Sequence, residues 1–153
     1  MSPQEIHDFL ESGVSILIGT ADARLAPEAT RGIGAKVAPG GKRVTVYVPD
    51  APSQRTFANL RATGAIAVTF SRPSDHVTLQ LKGKAIDLRP ADDDERDFVE
   101  RYRALLADEL AYVGVPRRLS RRFVFWPCHR IDVAVDAMFV QTPGPGAGAP
   151  LAS

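Results

Sequence analysis

A mainly β domain with added helices is the fold class this sequence predicts, and three stretches carry the prediction. The first is Ala65 to Leu88, AIAVTFSRPSDHVTLQLKGKAIDL, which reads as two strands around a loop. In its second half Val77, Leu79, Leu81 and Ala85 share one parity, while His76, Thr78, Gln80, Lys82 and Lys84 share the other. That is the period-2 pattern of a strand with one buried face. The second stretch is Arg43 to Val48, RVTVYV, a β-branched run whose Val44, Val46 and Val48 point one way. The third is Val14 to Thr20, VSILIGT, a nearly continuous apolar run of strand length, expected at the centre of the sheet.

Taken in order, the chain opens with a short helix over Pro3 to Ser12. Ser2 has the chemistry of an N-cap, Pro3 stands at the first helical position, and Glu5 completes a capping box, with Ile6, Phe9 and Leu10 as the core face. Gly13 ends the helix ahead of the Val14 strand. After a turn over Ala21 to Leu25, Pro27 to Val37 reads as one strand with Ala29, Arg31, Ile33, Ala35 and Val37 in one parity. Gly32 and Gly34 take the other parity, which marks either a group lying close against the backbone or a sharply coiled barrel strand. Pro39, Gly40 and Gly41 turn the chain into Arg43 to Val48, completing a hairpin. Pro49 to Pro52 then breaks the sheet, and Ser53 caps a helix running to about Ala62 with Phe57, Ala58 and Leu60 inward. In the central hairpin the parity slips after Gly83, so that Ile86 and Leu88 become the apolar positions and a bulge is expected. An amphipathic helix follows from Asp92 to about Val113, with Phe98, Tyr102, Leu105, Leu106 and Leu110 at helical spacing. Ile131 to Val140 is the last strand.

Composition bounds the rest. The 153 residues suit one domain, and 44% hydrophobic with 24% charged residues point away from a membrane protein and from a disordered chain. Nineteen basic against eighteen acidic residues leave +1, so no general attraction to nucleic acid or to an anionic membrane is expected. Cys128, the only cysteine, cannot form an intrachain disulfide, and no apolar N-terminal stretch approaches a signal peptide or a spanning helix. A cytoplasmic protein is therefore expected, with residues 1–140 as the folded domain and residues 141–153, rich in glycine and proline, as a flexible tail.

Two features suit a ligand. The start of the Ser53 helix combines free N–H groups and the positive end of the helix dipole with Ser53, Arg55 and Thr56, a natural anion site. The polar row of the central hairpin lies beside the small Ala65, Ala67 and Thr69, which leaves either a shallow cleft or a face turned to water. Asp92 to Glu95 read as carboxylates complementing a helix dipole rather than as a metal site. Arg117, Arg118, Arg121 and Arg122 read as a solvated or salt-bridged patch. His7, His76 and His129 are not at metal-ligand spacing, and no dinucleotide fingerprint, phosphate loop, zinc-metalloprotease motif or nucleophile elbow occurs. No residue stands out as catalytic, so for an enzyme a bound cofactor is expected to supply the reactive atom.

The order of these elements resembles the pyridoxamine 5′-phosphate oxidase-like family of flavin-binding split β-barrels, over roughly Ser12 to Leu88. Arg31 and Lys36 match an arginine and a lysine five residues apart on a strand of that family. Tyr47, Val48 and Pro49 match the strand end that leads to the flavin. Ser53, Gln54, Arg55 and Thr56 match its helix-start element, with Arg55 in place of a lysine. Gln80 and Gly83 match its strand glutamine and following glycine. The resemblance implies a six-stranded antiparallel split barrel that forms a homodimer. It also implies FMN bound noncovalently at the dimer interface by Arg31, Lys36, Val48, Pro49, Ser53, Arg55, Thr56 and Gln80, and oxidoreductase activity with reduced nicotinamide as electron donor. The family's arginine-bearing C-terminal segment has no counterpart in QTPGPGAGAPLAS, so pyridoxamine phosphate is not the expected substrate. Relatives of this fold also hold haem or a deazaflavin, for which His76 or His129 would be the axial haem ligand.

Overall fold

The structure is a computed structural model that describes residues 1–151. Helix α1 spans Pro3–Glu11 and starts as its sequence predicts: the Glu5 N–H donates to Ser2 Oγ at 3.2 Å and the Ser2 N–H to the Glu5 carboxylate at 2.6 Å. Seven strands follow, β1 (Ser15–Ala21), β2 (Pro27–Gly32), β3 (Gly34–Val37), β4 (Arg43–Pro49), β5 (Ala65–Ser71), β6 (Thr78–Pro90) and β7 (Cys128–Val140). They form one antiparallel sheet in the order β2-β1-β5-β6-β7-β4-β3. The two ends of that order, β2 and β3, are neighbours in sequence, so the chain itself joins the ends and curls the sheet. Counting them as one interrupted strand leaves the six of the expected barrel.

The interruption falls at Ile33, whose N–H leaves the strand to donate to the Tyr47 carbonyl oxygen at 2.8 Å. A Cβ on Gly32 would come within 2.6 Å of Ile16 Cγ2. A side chain, that of Ile16, thus lies close against the backbone at Gly32, the first of the two readings the sequence left open. Ile16, Ile18, Val44, Val46, Val48, Val68, Phe70, Leu79, Leu81, Ile131 and Val133 fill the inside of the curl. Each such side chain contributes roughly 1.5–3 kcal/mol by its removal from water. β1 lies one strand from the end of the order, and its apolar run alternates after all, because Leu17 points outward and is 50% exposed. The bulge expected after Gly83 is present, since the pairing of β6 with β7 shifts between Ala85 and Asp87; a second shift falls just before Gly83, where a Cβ on this glycine would overlap the Ala134 carbonyl oxygen.

Helix α2 spans Gln54–Thr63 and α3 spans Arg96–Tyr112 behind a 3-10 turn over Asp93–Glu95; α4 is the short Arg117–Ser120. The buried face of α3 is Val99, Tyr102, Leu106 and Ala107, and Leu105, expected inside, is 46% exposed. The Tyr102 hydroxyl sets that rotation by donating to the carbonyl oxygens of Leu10 and Val14, both at 3.1 Å. β7 begins at Cys128, three residues before the expected Ile131, because β4 pairs with it as far as Pro49 opposite Cys128. Beyond Val140 the chain turns back rather than trailing free. The Gly148 N–H donates to the Val140 carbonyl at 2.7 Å, the Leu151 N–H to the Met138 carbonyl at 2.8 Å, and Leu151 packs on the core. This segment covers the β7 edge past Ala134, where β4 ends, so the edge is not left unpaired. The last two residues of the expected tail lie outside the described residues.

Candidate functional site

Register places five outward side chains in one row across the sheet. Arg31 is opposite Leu17, Leu17 opposite Thr69, Thr69 opposite Gln80 and Gln80 opposite Phe139. Arg31 and Gln80 are three strands apart, about 14 Å at the usual interstrand spacing. The next row holds Ala29, Gly19, Ala67, Lys82 and Ala137, so most of the floor beside the polar row is low. Gln80 Nε2 donates to Thr69 Oγ1 at 3.0 Å and Arg31 Nη1 to Ser15 Oγ at 3.1 Å. The Gln80 amide oxygen and the other guanidinium N–H groups of Arg31 are left to face solvent or a ligand. Ser71 and Thr78 hydroxyls, 2.8 Å apart, continue the polar surface.

The start of α2 forms a second group. Ser53 stands at the N-cap, yet its buried hydroxyl lies 3.0 Å from Thr30 Oγ1 and accepts nothing from the helix. The first-turn N–H groups of Gln54, Arg55 and Thr56 therefore have no side-chain cap, and Thr56 Oγ1 is buried without a partner. Arg55 is 62% exposed, and its Nε lies 3.5 Å from the Glu28 carboxylate. Next to this helix start His129 Nδ1 meets Asp50 Oδ1 at 2.7 Å, with the imidazole 4.5 Å from the Phe57 ring. Val48 and Pro49 are buried on β4, so backbone is what they offer a ligand. His76 sits exposed in the β5–β6 turn with φ of 61°.

β2 adjoins both groups. Thr30 and Glu28 reach the α2 start from one side of the strand, while Arg31 points to the other, so the structure gathers Ser53, Arg55 and Thr56 in one place and Arg31 with Gln80 in another. Lys36 lies past the break, opposite Thr45 and 5.9 Å from the Phe98 ring centroid. Arg31 and Lys36, five residues apart, would face opposite sides of a regular strand. The break at Ile33 resets the alternation and leaves both exposed.

One polar cluster escapes sequence reasoning. Glu95 Oε1 accepts from Tyr47 Oη at 2.8 Å and from Arg130 Nη1 at 2.7 Å, while Arg130 Nη2 and Thr45 Oγ1 donate to Asp132 Oδ1 at 2.9 and 2.7 Å. Burial, the Glu95 bond and the Glu95 charge raise the Tyr47 phenol, so it stays a neutral donor. The cluster joins the turn before α3 to the outside of β4 and β7. Its members lie up to 87 residues apart, and no local pattern links them. Cys128 beside it is buried, and burial with the Asp50 and Glu95 charges pushes its thiol up to about 12, which leaves it inert as a nucleophile.

The sequence matches no protein-family model and no curated protein. Solved structures do share its fold. HupZ of Group A Streptococcus is 17% identical, with 97% of this chain and 100% of that chain covered at a TM-score of 0.57. An F420 reductase is 16% identical over 86% of this chain and 94% of that chain, TM-score 0.56. A Clostridium acetobutylicum protein related to general stress protein 26, of the pyridoxinephosphate oxidase family, is 14% identical over 89% of this chain and 84% of that chain, TM-score 0.51. At such identities the likeness is one of architecture, and it agrees with the curled antiparallel sheet and added helices described above. The chain has the split β-barrel fold of the pyridoxamine 5′-phosphate oxidase-like proteins.

Proposed function

We propose that this protein binds FMN and works as a homodimeric oxidoreductase, moving electrons from reduced nicotinamide to a small acceptor other than pyridoxamine phosphate. The start of α2 carries the reading: uncapped N–H groups, an orphaned buried Thr56 hydroxyl and the Arg55 guanidinium form a donor set suited to a phosphate. Arg31 on the other face of β2 and Lys36 on β3 would add charge, Val48 and Pro49 would offer backbone, and Gln80 would offer an amide to the ring system. Bound there, a flavin would supply hydride acceptance and donation; the protein's own part is to hold the phosphate, orient the ring and exclude water. Support for a homodimer comes from the outer face of the sheet, where half-exposed Leu17, between Arg31 and Thr69, stands beside the small row Ala29, Gly19 and Ala67 that a second copy would cover. The solved F420 reductase shares the fold and lends support to flavin-type cofactors in general.

Absorbance of the purified protein tests this reading. A flavin double band that bleaches on anaerobic addition of reduced nicotinamide is expected. An intense Soret band would replace the reading with haem binding at His76 or His129, and a flavin band that never bleaches would make the protein a carrier.

A further inference from the structure

A hollow of about 390 Å³ lies between α3 and the α4 segment, and it shares no residue with the α2 start or the outward row. We propose that it binds a small organic oxyanion, a phosphate or carboxylate carried on a planar apolar body. Two guanidinium groups make the case. The Arg103 guanidinium carbon lies 4.0 Å from the Phe125 ring centroid, and its Nη2 donates to the Arg121 carbonyl oxygen at 3.3 Å. Its fork is thereby held in place before any ligand arrives. The local charge is not balanced. Asp108 takes Arg117 at 2.8 Å, and Glu100 faces Arg96 at 3.6 Å, so Arg103 and Arg121 have no carboxylate partner among the described residues. The floor is apolar, made by Ala104, the buried Ala107 and the Phe125 ring, and the volume suits a small ligand. An oxyanion between Arg103 and Arg121 would take the free N–H groups, while a flat body would lie along Ala104 and Ala107 beside the Arg103–Phe125 pair. The inference stands independently of the flavin reading.

The test is a titration of the whole chain with phenyl phosphate, benzoate and neutral benzyl alcohol, following the Phe125 and Ser120 amide resonances and the Trp126 indole by NMR. Both anions should give saturable shifts below about 10 mM and the alcohol none. Arg121→Gln, at an exposed position, should weaken phenyl phosphate about tenfold. Glu100→Gln, which removes a like charge, should tighten it. Equal shifts with the alcohol would overturn the proposal, as would an absence of saturation or an affinity unchanged by Arg121→Gln. An equal loss in Arg101→Gln, which lies off the lining, would reduce the effect to general surface charge and overturn it too.

Discussion

Burial works against the charge on Asp132, but the bonds it accepts from Thr45 and Arg130 outweigh that effect and hold its carboxyl below the ordinary 3.8. As pH falls, the unfolded chain therefore takes up this proton first. The contribution to stability is full above pH 3.8 and fades as pH drops through the lower native value. Asp132→Asn should cost stability at pH 7 and flatten the acid side of the profile, as urea unfolding at pH 7 and pH 3 would show. An equal loss at both pH values would contradict the assignment. Glu28 is the second informative residue, since its carboxylate is the acceptor that competes with a phosphate for Arg55. Glu28→Gln should tighten FMN severalfold while leaving riboflavin binding alone, read by fluorescence titration. Neither residue was legible as important in the sequence, because each acts through a partner reached only by the fold: Asp132 through Thr45, and Glu28 through Arg55.

Elements whose causes are local could be read directly. The capping box of α1 involves residues three apart, and the slip in β6 shows as a change of parity at Gly83. Where a distant contact decides, the sequence did not name the partner. The break between β2 and β3 depends on Tyr47 and Ile16, and the rotation of α3 depends on Leu10 and Val14. The start of α2 was half legible. Ser53, Arg55 and Thr56 were visible as an anion-binding pattern, but the Ser53 hydroxyl turned toward Thr30 was not. Gly83→Ala tests the element-scale reading of the bulge. A methyl group meeting the Ala134 carbonyl must push β6 away from β7, at a cost of about 1–3 kcal/mol. A melting temperature equal to wild type would show that the bulge tolerates a side chain.

At the scale of the molecule, the strand order joins β2 to β3 through the chain, and the turned-back segment after Val140 covers the β7 edge. Glycine and proline content suggested a free tail because composition does not reveal which edge lies unpaired beside it. On the outward face Leu17 stays half exposed among the described residues. Light scattering at micromolar concentration should therefore report a dimer, and Leu17→Glu a monomer; a wild-type monomer would contradict the assembly. The central claim is phosphate recognition at the start of α2, and paired titrations of FMN and riboflavin into wild type and Arg55→Ala test it most directly. FMN affinity should fall about tenfold to a hundredfold in the variant, the loss of one charge-assisted hydrogen bond of roughly 1.5–3 kcal/mol, while riboflavin binds both proteins alike. Equal FMN affinity in both proteins, with binding abolished by Gln80→Ala, would contradict the account and move the phosphate to Arg31.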